Sequence, residues 1–166
     1  MFCYRIERRF PKKFSPFVDR QFSDKYLSTV GVKISRKSLE VTNSEQQKHL
    51  ILQLLIWDIE GSNKFQGISI SYFQGATGAI IVGDVTCPDF IDNISKHLQA
   101  FLKVNPQAKA VIALNKSDLI DIEYLEKYRQ TYRFKDNSSF VSTYETSAKT
   151  GKNVDKIFQC LTHSMI

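Results

Sequence analysis

The amino-acid sequence predicts an α/β protein with a doubly wound, mainly parallel sheet and one antiparallel hairpin strand. From about residue 30 onward, short strand-like segments alternate with segments whose apolar residues recur at helical i, i+4 spacing. Such alternation is typical of a parallel sheet covered by helices on both faces. Two of the strand-like segments instead follow one another across a short polar turn, and this order predicts the antiparallel hairpin.

Several segments have the pattern of strands. Residues 32–41 alternate apolar and polar side chains, which predicts a strand with one buried face. After the polar turn 42–47, residues 49–57 are mostly apolar, and we expect this strand to be buried on both faces. The further predicted strands are 78–84, 108–114 and 140–145.

Other segments have the apolar periodicity of helices. Apolar residues lie on one helical stripe in 90–102, in 124–132 and in 154–161. Asn153 directly precedes the last of these segments, where its side chain can cap the first helical turn. No repeat or low-complexity linker interrupts the pattern, so we expect the segments to form one domain.

Length and composition indicate a globular cytoplasmic domain. A chain of 166 residues, 42% of them hydrophobic and 24% charged, can bury a core and has neither a disordered nor a membrane-spanning composition. Its three cysteines are odd in number and widely spaced, which excludes a disulfide framework and a CxxC metal site. Residues 1–9 contain an acid and several arginines where a signal peptide needs an apolar stretch.

The basic charge of the chain is concentrated near its start. The net charge is +6, and residues 1–40 hold ten Lys or Arg residues and four acids, while the remainder is neutral overall. A basic segment can contact nucleic acid or an anionic membrane, or it can be a solvated arm. Because the segment lacks the aromatic spacing of a base-stacking platform and the glycines of a KH-type loop, we expect no nucleic-acid partner.

Four loops are candidates for chemistry, because ligands of parallel sheets bind at the carboxyl ends of the strands. These loops follow residues 57, 84, 114 and 145. The first contains Asp58 and, three residues later, Gly61. A carboxylate at this position can hold Mg²⁺ through water, and Gly61 allows a backbone N–H to approach a phosphate. Alone, however, D-x-x-G is also a common turn.

The loops after 114 and 145 have groups suited to a guanine base. Asp118, in the sequence N-K-S-D, can accept both the ring N–H and the exocyclic N–H of guanine, a donor pattern that adenine lacks. The stem of Lys116 can lie along the face of the base. The sequence S-A-K at 147–149 forms a small-residue turn whose backbone N–H groups can meet the guanine carbonyl. Taken alone, the N-K-S-D cluster favours an ordinary turn with an N-capping Asp, and the S-A-K cluster is a weak signal.

Taken together, these motifs and their spacing resemble those of the Ras-like small GTPases, particularly the Rab-type and bacterial Ras-like branch. The resemblance covers about residues 17–163. Its motifs are the first switch at 26–32, the second switch at 57–61, the passages 71–76 and 81–86, the base motif Asn115-Lys116-Asp118 and the final loop Ser147-Ala148-Lys149. The resemblance implies a P-loop NTPase-like fold that binds GTP and GDP with Mg²⁺, and protein effectors or regulators that bind the switch regions.

The resemblance also implies roles for individual residues. Thr29 and Asp58 are expected to hold Mg²⁺, and together with Gly61 they are expected to lie at the phosphates. The expected guanine-binding residues are Asn115, Lys116, Asp118, Ser147, Ala148 and Lys149. After Gly61, where the family has a water-orienting glutamine, the chain has Ser62 and then Asn63. This replacement predicts slow GTP hydrolysis, and together with the missing phosphate loop described next it predicts that hydrolysis is weak or lost.

The phosphate loop of the family, G-x-x-x-x-G-K-[ST], has no counterpart in its usual place. No glycine precedes Gly31, and residues 8–16 contain two prolines where the loop and the first helix are expected. Only residues 1–6, whose apolar side chains alternate, can replace the first strand. We therefore expect a degenerate or replaced first strand and phosphate loop within a divergent basic segment at 1–16, followed by a Ras-like region at 17–163.

Without the phosphate loop, we expect weaker nucleotide binding. Three or four lost charge-assisted hydrogen bonds cost about 5–10 kcal/mol, or roughly 10⁴- to 10⁷-fold in affinity. The sequence leaves two functions open: a guanine-nucleotide switch with weak or lost hydrolysis, and a non-catalytic pseudo-GTPase interaction module or truncated gene product. Residues 160–166 carry no prenylation signal, so no lipid anchor is expected.

Overall fold

The computed structural model of the chain describes residues 2–8, 32–43, 48–59, 71–121, 123, 126 and 139–166. The described strands are β1 (Phe2–Arg8), β2 (Val32–Asn43), β3 (Lys48–Ile59), β4 (Gly78–Asp84), β5 (Lys109–Asn115) and β6 (Phe140–Glu145). The structure also describes helices α1 (Phe90–Val104) and α2 (Val154–Ser164), a 3₁₀ turn at Ser117–Leu119 and a helical stretch at residues 71–73.

The described strands form one six-stranded sheet in the order β2-β3-β1-β4-β5-β6. β4, β5 and β6 pair in parallel, whereas β2 pairs antiparallel with β3. β1 pairs antiparallel with both β3 and β4, so β3 and β4 themselves run in the same direction. Four of the six strands therefore share one direction, which confirms the predicted α/β fold with a mainly parallel sheet and a hairpin.

Most predicted elements lie where the sequence patterns placed them. The strands predicted at 78–84 and 140–145 match β4 and β6, and the helices predicted at 90–102 and 154–161 extend two and three residues further. Small and β-branched residues form the apolar runs of β4 and β5, because such side chains suit strands that are covered on both faces. The helix predicted at 124–132 lies almost entirely outside the described residues.

β1 occupies the centre of the sheet and replaces the first strand, as predicted. Its Tyr4 pairs with Ile56 of β3 on one side and with Gly78 of β4 on the other. An antiparallel strand satisfies its backbone N–H and C=O groups on both sides as completely as a parallel strand does. The sheet therefore contains a second antiparallel strand in addition to the predicted hairpin strand β2.

The direction of β1 decides at which edge the chain leaves the sheet. Phe2 pairs with Asp58, next to the carboxyl end of β3. Arg8 pairs with Leu52, toward the amino end of β3. A first strand parallel to β3 would deliver the following residues to the carboxyl edge of the sheet. β1 delivers them to the opposite edge.

Two apolar clusters cover the two faces of the sheet. The first cluster joins α1 to one set of alternate residues in β4 and β5. The second joins α2 to the other set. The buried helix residues are Phe90, Ile94, Leu98 and Phe101 of α1 and Ile157 and Leu161 of α2. Helices on both faces are what a doubly wound sheet requires.

The prediction that β3 is buried on both faces is wrong for part of the strand. Leu54 and Ile56 are buried in the cluster on the α2 side. On the other face, Ile51 is 43% exposed and Gln53 is also exposed. α1 packs chiefly on β4, so this face of the hairpin extends beyond the helix.

The direction of β1 is testable by NMR. Facing Cα atoms of antiparallel strands approach to about 4.5 Å at every second pair, whereas parallel strands lack such pairs. We expect strong Hα–Hα NOEs from β1 to both β3 and β4. The parallel pair β4–β5 is the internal control and should have none. A β1 without these NOEs to β3 would contradict the antiparallel direction.

Candidate functional site

The loops after β3, β4, β5 and β6 emerge at one edge of the sheet, because these four strands run in the same direction. Asp84 at the end of β4 pairs with Asn115 at the end of β5. Leu114 of β5 pairs with Glu145, the last residue of β6. The parallel register therefore brings the candidate loops after β5 and β6 side by side.

Hydrogen bonds join these two loops. The backbone N–H of Ala148 donates to Oδ1 of Asn115 at 3.1 Å. The N–H of Ser117 donates to the carbonyl of Thr146 at 3.1 Å, and the N–H of Thr146 donates to the carbonyl of Leu114 at 2.8 Å. Since a side chain and two backbone segments all take part, the N-K-S-D and S-A-K motifs form one unit.

Asp118 is exposed, yet it is held by a buried neighbour. The hydroxyl of Ser147, which is fully buried, donates a hydrogen bond to the Asp118 carboxylate and lowers its pKa below the ordinary value. The Ser147 oxygen in turn accepts a hydrogen bond from the N–H of Thr150 at 3.1 Å. Lys149 and Lys116 add electrostatic attraction. Asp118 is therefore ionised at neutral pH and presents acceptor oxygens to solvent.

Lys116 has a left-handed backbone, with φ of 64° and ψ of 31°, a conformation that costs a non-glycine residue about 1–2 kcal/mol. Its Nζ lies 2.6 Å from Oδ2 of Asp84. The other Asp84 oxygen, Oδ1, accepts from the N–H of Thr86 at 3.0 Å and from its hydroxyl at 2.6 Å. Burial opposes ionisation of Asp84, but the hydrogen bonds from Lys116 and Thr86 outweigh it and lower the pKa of Asp84.

Sequence reasoning missed Asp84 as a residue of this site. It placed Asp84 at the carboxyl end of a buried strand, in the sequence Asp84-Val85-Thr86, without assigning it a role. An acid followed two residues later by Thr at the ligand edge is a signal of an Asx-type turn. That signal predicts the turn, but it does not predict the ion pair with Lys116, because Lys116 lies on another loop.

The loop after β6 closes through backbone bonds. The N–H of Gly151 donates to the carbonyl of Ser147 at 2.9 Å, and Gly151 has a positive φ of 79° that glycine adopts readily. Asn153 lies at the cap position of α2, as predicted, but the predicted side-chain cap is wrong. Its Nδ2 instead donates to the carbonyl of Glu145 at 2.8 Å, and the Glu145 carboxylate binds Lys152 at 3.0 Å.

Only part of the predicted phosphate side is described. Asp58 is half-buried near the carboxyl end of β3. The other candidates for the magnesium, phosphate and hydrolysis positions lie outside the described residues; they are Thr29, Gly61, Ser62 and Asn63. Within the described ranges, no group of three or more His, Cys, Asp or Glu side chains is arranged to hold a metal ion, and no helix has the length and apolarity to cross a bilayer.

Comparison with known proteins identifies the family. The family model for the Ras family matches residues 14–166. The chain belongs to the Ras family. It is 32% identical to the GTP-binding protein ypt4 of Schizosaccharomyces pombe over 151 residues and 33% identical to ypt1 of that organism over 143 residues. It is also 32% identical to the Ras-related protein Rab-1C of Dictyostelium discoideum over 143 residues.

The alignments cover most of this chain but less of its relatives. They include 90%, 86% and 86% of the chain, and 63%, 66% and 67% of ypt4, ypt1 and Rab-1C, respectively. The chain thus spans about two thirds of the length of these Ras-family proteins. The match confirms the predicted resemblance to Ras-like small GTPases of the Rab type, which as a family bind GTP and GDP with Mg²⁺ and interact with effectors and regulators. A cytoplasmic location stays a prediction.

Two buried serines of this site should respond differently to removal of their hydroxyls. Oγ of Ser117 is buried without a hydrogen-bond partner in the described structure, whereas the Ser147 hydroxyl has partners on both sides. We expect Ser117→Ala to leave the free energy of unfolding unchanged or raise it by up to about 1 kcal/mol, and Ser147→Ala to lower it by about 1–3 kcal/mol. Urea denaturation of both variants measures this, and equal losses would contradict the assignment.

Proposed function

We propose that the chain is a guanine-nucleotide-binding protein of the Ras/Rab type that keeps base recognition but has reduced phosphate affinity and weak or lost hydrolysis. The main support is the joined pair of loops after β5 and β6, in which Ser147 holds Asp118. A carboxylate held in this way can accept the ring and exocyclic N–H groups of guanine as a bidentate pair. Adenine lacks these donors, so the site discriminates against it.

Asn115 and Lys116 supply further contacts to the base. Because Oδ1 of Asn115 accepts the N–H of Ala148, the amide is oriented with its Nδ2 donor on the other side. This donor can bind a ring nitrogen of guanine. The stem of Lys116 can cover a face of the ring. These contacts depend on the described loops alone.

The edge of the sheet at which β1 ends supports a reduced affinity for the phosphates of the nucleotide. In Ras-like proteins, backbone N–H groups of the loop after the first strand surround the phosphates. Here β1 ends with Arg8 at the edge opposite to Asp84 and Asn115, and no glycine precedes Gly31. A loop that directly follows β1 therefore starts at the wrong edge to surround phosphates beside the base.

Mg²⁺, when bound with nucleotide, would neutralise phosphate charge. The carboxylate of Asp58 fits this role, because it lies near the carboxyl end of β3 and Mg²⁺ prefers oxygen ligands, often through water. The expected second ligand is Thr29. For hydrolysis, the proposal rests on Ser62, which replaces the glutamine that orients the attacking water in the family.

The proposal predicts that guanine ligands bind with similar affinity whatever their number of phosphates. Because the base provides most of the binding free energy, the dissociation constants of guanosine, GMP, GDP and GTP should lie within about tenfold of each other in the presence of Mg²⁺, as measured by calorimetry.

Asp118→Ala should weaken guanosine binding by about a hundredfold or more, since it removes two charge-assisted hydrogen bonds. Asp155→Asn, in an exposed ion pair with Lys37, is the matched control and should leave guanosine binding unchanged.

Two results would overturn parts of this proposal. GTP binding that is more than about a thousandfold tighter than guanosine binding would show that the phosphates are held, contrary to the reduced affinity. No guanosine binding at millimolar concentration would remove base recognition. Adenosine is the control ligand for both measurements, because it tests the donor pattern that Asp118 reads.

A second function, that of a protein interaction module, is favoured by an apolar patch on the hairpin. Ile34 of β2 is 54% exposed and pairs with Trp57 of β3. The Trp57 ring lies 5.7 Å from the ring of Tyr72, in a tilted arrangement. Ile34 is exposed, whereas Trp57 and Tyr72 are partly buried against the core. Apolar and aromatic side chains at a surface are typical of protein interfaces. Trp57 belongs to the segment expected to be the second switch, and Ile34 lies two residues beyond the first.

This second function predicts separate effects of two kinds of variant. Ile34→Asp should abolish capture of a protein effector or regulator, because it places a charge in the apolar patch. Asp118→Ala should retain capture if the module acts without nucleotide. Ile166→Asp is the matched control, since Ile166 is 42% exposed and belongs to the C-terminal end. Capture that is lost with Asp118→Ala but kept with Ile34→Asp would exclude a nucleotide-independent module.

A further inference from the structure

We propose that Asp84 is a positioning residue of the guanine site, which orients Lys116 before the base binds. The inference rests on the proposed function of base recognition and adds to it a residue of the loop after β4. Asp84 approaches the base motif from a neighbouring strand and binds the lysine side chain directly. It therefore acts on the ligand through Lys116.

Both oxygens of the Asp84 carboxylate are engaged, so its orientation is fixed. Oδ2 binds Nζ of Lys116 at 2.6 Å. Oδ1 binds the backbone N–H and the hydroxyl of Thr86 at 3.0 and 2.6 Å. A carboxylate held at one oxygen by a local turn presents the other oxygen in a single direction. Thr86 thus orients Asp84, and Asp84 orients Lys116.

The backbone supports the same arrangement. The N–H of Val85 donates to the carbonyl of Asn115 at 3.1 Å, directly before Lys116. The parallel register also places Asp84 opposite Asn115. Lys116 thus directly follows a residue that is fixed by the strand pairing, and its ammonium group is held by Asp84. A long side chain restrained at both ends loses little further freedom when a base stacks on its stem, which favours binding.

The other acids near the base loops have different partners. The Glu145 carboxylate binds Lys152 at 3.0 Å, and Asp118 is bonded by Ser147. Asp118 is the acid that faces the base, so a lysine drawn toward it would compete with the ligand. By holding the ammonium group of Lys116 at the end of β4, Asp84 keeps the Asp118 oxygens available for guanine.

A double-mutant cycle with guanosine tests this inference. We expect Asp84→Asn to weaken binding about tenfold, the effect of one partly exposed charge-assisted hydrogen bond, and Thr86→Val to weaken it by a smaller factor. In a Lys116→Ala background, Asp84→Asn should change the affinity less than about twofold. Discrimination between guanosine and adenosine should stay unchanged, because Asp118 is intact. Asp155→Asn is the matched control.

An equal loss of affinity in both backgrounds would overturn the inference, since Asp84 would then act through the fold. A second readout without ligand separates this proposal from base recognition itself. In the intact chain, acetylation of Lys116 should be slower than acetylation of Lys149, as followed by mass spectrometry, and Asp84→Asn should remove the difference. An unchanged ratio overturns the inference. Slow Lys116 acetylation in a chain that fails to bind guanosine would instead overturn base recognition.

Discussion

The parallel register of β4, β5 and β6 is the constraint on which the candidate site depends. Ala79, Ile80 and Ile81 of β4 are almost completely buried, as is the apolar run of β5, so both faces of these strands are covered. A slip of one residue would exchange the two faces and would also separate Asp84 from Asn115. The close packing of α1 adds to this constraint, because a Cβ atom at Gly83 would overlap the Ile94 side chain. The core therefore sets the relative positions of the loops that carry the polar groups.

The sequence correctly predicted those elements whose apolar periodicity fits only a helix or only a strand. β4, β6, α1 and α2 were found close to their predicted bounds, and the base loops lie together at the predicted edge. The burial of β3 was not predicted correctly, because a mostly apolar run does not reveal how far a helix extends over it. The direction of β1 was not predictable from its pattern, because alternation with a period of two reads the same in both directions. The bond from Asp84 to Lys116 was missed because it joins two loops that are distant in sequence.

The two halves of the site have different origins in the fold. The base half consists of loops after adjacent parallel strands, and hydrogen bonds such as that from Ala148 to Asn115 join these loops. The phosphate half of a Ras-like protein depends on the loop after the first strand. β1 runs in the opposite direction to β3 and β4, so a loop that directly follows it starts at the other edge of the sheet. In the function we propose, binding energy is therefore shifted toward the base, where Asp118 and its partner Ser147 lie.

The reversed direction of β1 still provides the hairpin with a neighbouring strand, and the two proposed functions can therefore be separated. β1 pairs with β3 from Phe2 opposite Asp58 to Arg8 opposite Leu52, so the half of the hairpin that carries Trp57 has a neighbour in the sheet. The exposed Ile34 and its pair Trp57 lie on this hairpin, and neither belongs to the loops that we propose bind the base. A strand that satisfies the backbone of β3 in either direction is sufficient to present this patch. In the second function proposed above, this patch is therefore displayed whether or not the chain holds phosphates.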